Sequence, residues 1–347
     1  MNLKNMSIFF GNKKGKLDSF NNYSPINFTE LLNNPKQILV ILSSEFVEFI
    51  QSLRALSLLL HSYSNVSILI SDKKNVFFLE KCFANLKYDY FIYDKTGIPP
   101  KIYSKYFDII IILSKTLNKT LKYYLHKCSR SIKAGIREFE YPEIVNFISH
   151  SKNSLSFSVS FFNLVSSILG KEFDIDEFDV KIDISAANLS LSRNILVPFT
   201  QYSEGIFLLD ISSGLNTTLF SENQISQINQ HIRDRLNCNL VLFDWNVKRY
   251  EKLISRGNTS SLRLISENNL SLLTALLSNM KMIICPNSKL FHIAQLLKVK
   301  SIGVFLQDEK GSFYKSENSI EFVVKNFKLL PIKEIVNRIV ESTIKSP

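Results

Sequence analysis

The chain's strongest constraint is a rhythm. Short aliphatic runs, "QILVIL" (37–42), "NVSILIS" (65–71) and "YFDIIIILS" (106–114), are each followed by a longer amphipathic segment. After the first run, Phe49, Leu53, Leu56 and Leu60 recur at helical spacing. A run such as "IIIIL" does not alternate between polar and apolar residues, so both its faces are buried. That is the property of a parallel strand covered by helices on both sides. Strand and helix patterns in this order predict an α/β chain with parallel sheets.

The rhythm breaks once. From about Asp174 to Asn194 the chain is polar and weakly periodic, and this stretch reads as a domain junction. The alternation restarts with "GIFLLDIS" (205–212) and "SENQISQINQHIRDRLN" (221–237), and includes a helical pattern in "VKRYEKLISRG" (247–257). It ends in the helix "IKEIVNRIVESTIK" after Pro331, a residue tolerated at a helix start. The expectation is two Rossmann-like domains facing a cleft, 1–185 and 195–330, with a closing helix over 331–347. Ligands of such sheets sit at the carboxyl ends of the strands. The sequence contains neither a P-loop nor a G-x-G-x-x-G motif, which argues against NTPase and dinucleotide-binding readings.

Composition narrows the class further. Hydrophobic residues make up 45% and charged residues 21% of the 347, as in a globular protein. Cys82, Cys128, Cys238 and Cys285 lie far apart, without metal-ligand or disulfide spacing, and read as reduced thiols of a cytoplasmic protein. No metal is expected. The N-terminal segment has no apolar core of signal-peptide length, and no run approaches the ~20 residues of a membrane helix, so a soluble chain is expected. A formal net charge of +11 suits an anionic partner, such as a phosphorylated glycolipid or the inner membrane face. Nucleic acid is not expected, because the sequence has no reader motif and no aromatic-basic cluster.

One junction has the residue types of a phosphate site. In "KMIICPNSKLFHIAQLLK" (281–298) an apolar strand stops at Pro286 and a helix follows, with Asn287 or Ser288 as its N-cap. Leu290, Ile293, Ala294 and Leu297 form its buried stripe, and His292 lies off that stripe in the first turns. Free N–H groups and the helix dipole attract phosphate there. The plainer reading is a cap with a surface histidine.

The order and spacing of several motifs resemble glycosyltransferase family 9, the ADP-heptose:lipopolysaccharide heptosyltransferases, whose fold is GT-B. Asn287, Ser288, Lys289 and His292 occupy the positions of that family's Asp-Ser-Gly-x-x-His motif, and "NLSLLTALLSNMKMII" resembles the segment before it. "ILVILSSEFVEFIQSLRAL" can be laid on the first-lobe motif with one extra residue, which puts Val47 on its Gly, Glu48 on its Asp and Arg54 on its Pro. "DISSGLNTTLFSE" matches the loop that leads to Lys-x-Trp-Pro-x-Glu, with Thr217 at the Lys and Glu222 at the Glu. Where the family often has Gly-x-Pro after "LVLFD", this chain has Asn246, Val247 and Lys248. The resemblance implies an inverting glycosyltransferase using a nucleotide-sugar donor, ADP-linked in the family, and a lipopolysaccharide-type or other surface-glycan acceptor. Glu48 would be the base; its other reading is a solvated glutamate on an exposed helix face. Ser213, Thr217, Thr218, Asn246, Asn287, Ser288, Lys289 and His292 would bind the donor. Because Thr217, Asn287 and Lys289 depart from the family's residues, a second expectation stands beside the first: a GT-B scaffold that binds a glycan or a protein without catalysis.

Overall fold

Caps and left-handed stops decide where the helical patterns begin and end. "KTLNKTLKYYLHKC" has helical periodicity from Lys115, yet its helix starts only at Lys119, because the Asn118 side chain accepts the Leu121 N–H. Gly170 closes its helix at φ 66°, a left-handed conformation natural for glycine. Ser221 and Gln224 form a reciprocal capping box, and Asn237 ends that helix in the left-handed region.

The structure, a computed structural model, describes residues 6–8, 35, 37–94, 97–136, 140, 142–145, 147–149, 156–200, 203–212, 220–245, 263–307, 318–327 and 330–344. These residues fall into two compact units that divide after Val180. The first unit runs β1 (Met6–Ile8), β2 (Ile38–Leu42), α1 (Phe46–Ser62), β3 (Val66–Ile70), α2 (Lys73–Cys82), β4 (Asp89–Ile92) and α3 (Pro100–Tyr103). It continues with β5 (Ile109–Leu113), α4 (Lys119–Lys127), β6 (Ile132–Ile136), β7 (Phe147–Ser149) and α5 (Phe157–Leu169). Its sheet has the order β1-β7-β6-β5-β2-β3-β4, parallel except for β1, which pairs antiparallel with β7. The central strands β2, β3 and β5 are buried at every residue, as their unbroken aliphatic runs require.

The second unit comprises α6 (Ala186–Thr200), β8 (Ile206–Asp210), α7 (Glu222–Leu236), β9 (Asn239–Phe243), β10 (Arg263–Ile265), α8 (Leu270–Ser278) and β11 (Met282–Pro286). It ends with α9 (Lys289–Leu296), β12 (Ser301–Leu306), β13 (Ser319–Val324) and α10 (Ile332–Ile344). Its strands, all parallel, have the order β10-β9-β8-β11-β12-β13. One apolar cluster joins the sheet to α7 and α10 through Ile228, Ile232, Ile335 and Ile339. Gly303 in β12 gives the Phe291 and Phe305 rings room to meet edge to face at 5.1 Å; a Cβ there would lie 2.4 Å from the Phe305 ring.

The parallel α/β architecture is the expected one, with differences in detail. The stretch from Asp174 to Asn194 contains a 3-10 turn at Ile175–Phe178 and the start of α6. Arg54 pairs with Asp176 (3.5 Å) and Asp179 (3.0 Å), tying that turn to α1. Strands β1, β7 and β13 lie outside the unbroken aliphatic runs of the sequence. The helix expected over 247–257 lies outside the described residues. All four cysteines are free, and among the described residues no helix is long and apolar enough to cross a membrane.

Candidate functional site

The carboxyl end of the first sheet carries Glu48. Strands β2 and β5 are neighbours, so the residues after each, Ser43 and Ser114-Lys115, emerge side by side. The chain turns at Ser43, whose hydroxyl accepts the Glu45 N–H at 3.1 Å, and α1 begins with Glu48 in its first turn. Oε2 of Glu48 accepts the Ser43 hydroxyl at 2.8 Å and the Lys115 main-chain N–H at 3.1 Å. The Ser114 hydroxyl, 3.5 Å from Oε2, has its one proton better placed toward Thr116 O at 2.7 Å. No described residue donates to Oε1. Glu48 is half-buried, not the solvated glutamate of the plainer reading. A carboxylate with one oxygen fixed and the other open has the form of a general base. Arg54, at the family's proline position, points its guanidinium to Asp176 and Asp179 instead.

The carboxyl end of the second sheet is organised around a buried acid. Asp210 closes β8 and is fully buried. One of its oxygens accepts both the N–H (2.9 Å) and the hydroxyl of Ser212. The other accepts the Ser288 hydroxyl at 2.6 Å. Strands β8 and β11 are adjacent, which lets this bond join positions 78 residues apart. Burial raises the Asp210 carboxyl from 3.8 to about 6; the Ser212 and Ser288 bonds oppose that rise, and Asp244 adds to it.

Ser288 is the N-cap of α9, accepting the Phe291 N–H at 3.4 Å. Its hydroxyl proton goes to Asp210. It holds the turn in place. His292 is 3% exposed, so it is not the surface residue of the plainer reading. Leu290 to Ala294 are all buried, so past Lys289 the first turns of α9 are enclosed. Burial lowers the His292 pKa from 6.5 to about 4, so the ring is neutral near pH 7. Its Nε2 lies 3.3 Å from Asn287 Oδ1. His292 therefore orients Asn287 and brings no positive charge.

Asn287 is half-buried and Lys289 exposed at the start of α9, where first-turn N–H groups and the dipole favour an anion. Ser213, Thr217, Thr218 and Asn246, also expected to bind the donor, lie outside the described residues. Sequence reasoning missed Asp210, Ser212 and Asp244. Asp210 and Asp244 looked like the polar ends of strands, and the only available signal was an acid closing each of two apolar runs, "FLLD" and "VLFD".

Comparison with known proteins bears out the resemblance. Residues 220–339 match the family model for glycosyltransferase family 9 (heptosyltransferase). A search of curated proteins finds no match. The fold is similar to that of a glycosyltransferase family 9 protein from Veillonella parvula (TM-score 0.69, 13% identity, 89% of this chain and 97% of that one). It is also similar to E. coli ADP-heptose lps heptosyltransferase II (0.65, 13%, 89% and 99%). A third similar structure is the E. coli heptosyltransferase WaaC with ADP-2-deoxy-2-fluoro heptose (0.61, 12%, 88% and 99%). At these identities the likeness establishes the fold, which is GT-B.

Proposed function

We propose that the chain is an inverting glycosyltransferase that moves a sugar, heptose by analogy, from a nucleoside-diphosphate donor to a surface-glycan or lipopolysaccharide-type acceptor. The observation that carries this reading is the geometry of Glu48. Its open Oε1 takes the proton of the acceptor hydroxyl while Ser43 and the Lys115 N–H hold Oε2. The acceptor oxygen attacks the anomeric carbon, the bond to the diphosphate breaks with inversion, and the bonding pair leaves on the diphosphate. In this reading the negative charge is met by the N-terminus of α9 and by Lys289, without a metal. Asp210 and Ser288 position that turn, and His292 positions Asn287. ADP is the preferred donor nucleotide, from the family match over 220–339 and from the neighbour solved with an ADP-linked sugar. The net charge of +11 favours an anionic acceptor, reached peripherally at the inner face of the cytoplasmic membrane. A scaffold without chemistry is the weaker reading, since it has no need of a carboxylate held by two donors with one oxygen open.

The test is single-turnover transfer with Glu48→Gln. The rate is expected to fall by ~10²–10⁴ with donor affinity unchanged. Equal rates for the variant and the wild type would remove Glu48 from the mechanism.

A further inference from the structure

At the opposite end of the first sheet, where β5, β2, β3 and β4 begin, lies a cavity of about 290 Å³. It is separated from the Glu48 end by the length of the strands, roughly 17 Å for five residues. Its lining includes Gln37 before β2, Asn65 before β3, Tyr88 and Asp89 at the start of β4, and Lys105 and Tyr106 before β5.

Two features of this lining point to one ligand chemistry. The tyrosine hydroxyls are tied to main-chain carbonyls: Tyr88 donates to Leu79 O at 3.0 Å and Tyr106 to Arg130 O at 3.2 Å. Tyr106 is nonetheless 55% exposed, so its ring is held in place and offers a face to solvent. Around the rings stand two planar amides and an Asp89–Lys105 pair at 3.3 Å, with the Lys105 ammonium also 5.2 Å from the centre of the Phe91 ring. Aromatic faces pack against the C–H face of a pyranose, and amide, carboxylate and ammonium groups serve as donors and acceptors for its hydroxyls. Lys87 also lines the cavity, so two ammonium groups and one carboxylate stand among the amides as donors and acceptor for sugar hydroxyls.

We propose that this cavity is a second carbohydrate site, distinct from the reacting end of the sheet, that binds a pyranose residue of a glycan by stacking on Tyr106. It binds sugar whether or not the chain is a transferase.

The experiment is saturation-transfer NMR of the full chain with methyl β-D-glucopyranoside, methyl β-D-galactopyranoside and N-acetylglucosamine, each at millimolar concentration. At least one is expected to receive saturation on the protons of one ring face. Affinity is expected to fall by about threefold to tenfold in Tyr106→Ala, the scale of one lost aromatic contact, and to persist in Tyr106→Phe, which keeps the ring. Three results would overturn the proposal: no transfer to any of the sugars, transfer equally strong in Tyr106→Ala, or equal loss in Tyr106→Ala and Tyr106→Phe. The second would place the sugar elsewhere, and the third would assign the effect to the hydroxyl and not to stacking.

Discussion

Replacing Ser288 with alanine removes two interactions at once. One is the N-cap bond from the Phe291 N–H (3.4 Å) and the other the hydroxyl bond to Asp210 (2.6 Å). A lost cap costs about 1 kcal/mol. The second loss depends on pH, because Asp210 titrates near 6. Below that value the acid is neutral and the bond contributes about 1 kcal/mol, whereas above it the bond serves a buried carboxylate and is worth about 2 kcal/mol. The variant's Asp210 holds its proton to a higher pH than the wild type's. A raised folded-state pKa means stability lost as pH rises, so the variant's deficit widens from about 2 kcal/mol at pH 5 to about 3 at pH 8. Trp245, the only tryptophan, follows Asp244 at the end of β9 and meets Phe243 edge to face at 4.9 Å. Its fluorescence in urea therefore reports the second unit directly. In an Asp210→Asn background the Ser288→Ala deficit is expected to be the same at both pH values. A deficit that does not change with pH in the wild-type background, or one below about 0.5 kcal/mol, the ordinary scale of surface substitutions, would refute the reasoning.

Two further outcomes follow from the same unit. His292 has a folded pKa of about 4 against 6.5 in the open chain, so its charging costs stability as pH falls from 6.5 to 4; His292→Gln should trail the wild type by a gap that widens by about 3 kcal/mol as pH rises across that window, and a constant gap in urea titrations would contradict the buried, neutral ring. Gly303→Ala puts a methyl against the Phe305 ring and should cost about 1–3 kcal/mol, read as a lowered Tm; an unchanged Tm would mean that the Phe291–Phe305 pair is not packed as described.

Much of the fold is legible in the sequence because parallel strands buried on both faces must be uninterrupted aliphatic runs, as "ILVIL" and "IIIIL" are. Helix limits are legible where a particular residue enforces them, Gly170 by its left-handed backbone and Ser288 by its capping hydroxyl. The organisation of the sites is not legible in the same way. Glu48 is held by Lys115, 67 residues away, because β5 lies beside β2, and Ser288 is bound to Asp210 because β11 lies beside β8. Strand order is not written into any local pattern. His292 was misjudged for a related reason. A helical wheel places it off the apolar stripe, but a short helix enclosed on both flanks buries more than one stripe. Strand β13, "SIEFVV", is an edge strand with an exposed Val323, and its mixed polarity hid it.

The central claim is donor binding at the start of α9. Calorimetric titration with ADP at low salt tests it most directly, comparing the wild type with Lys289→Ala. Lys289 is exposed, and the variant's Tm is measured beside its affinity so that unfolding is not mistaken for lost binding. The account predicts saturable ADP binding, weakened about tenfold in Lys289→Ala, the scale of one lost charge-assisted contact. Absence of binding by ADP, and likewise by UDP and GDP, would contradict the transferase reading.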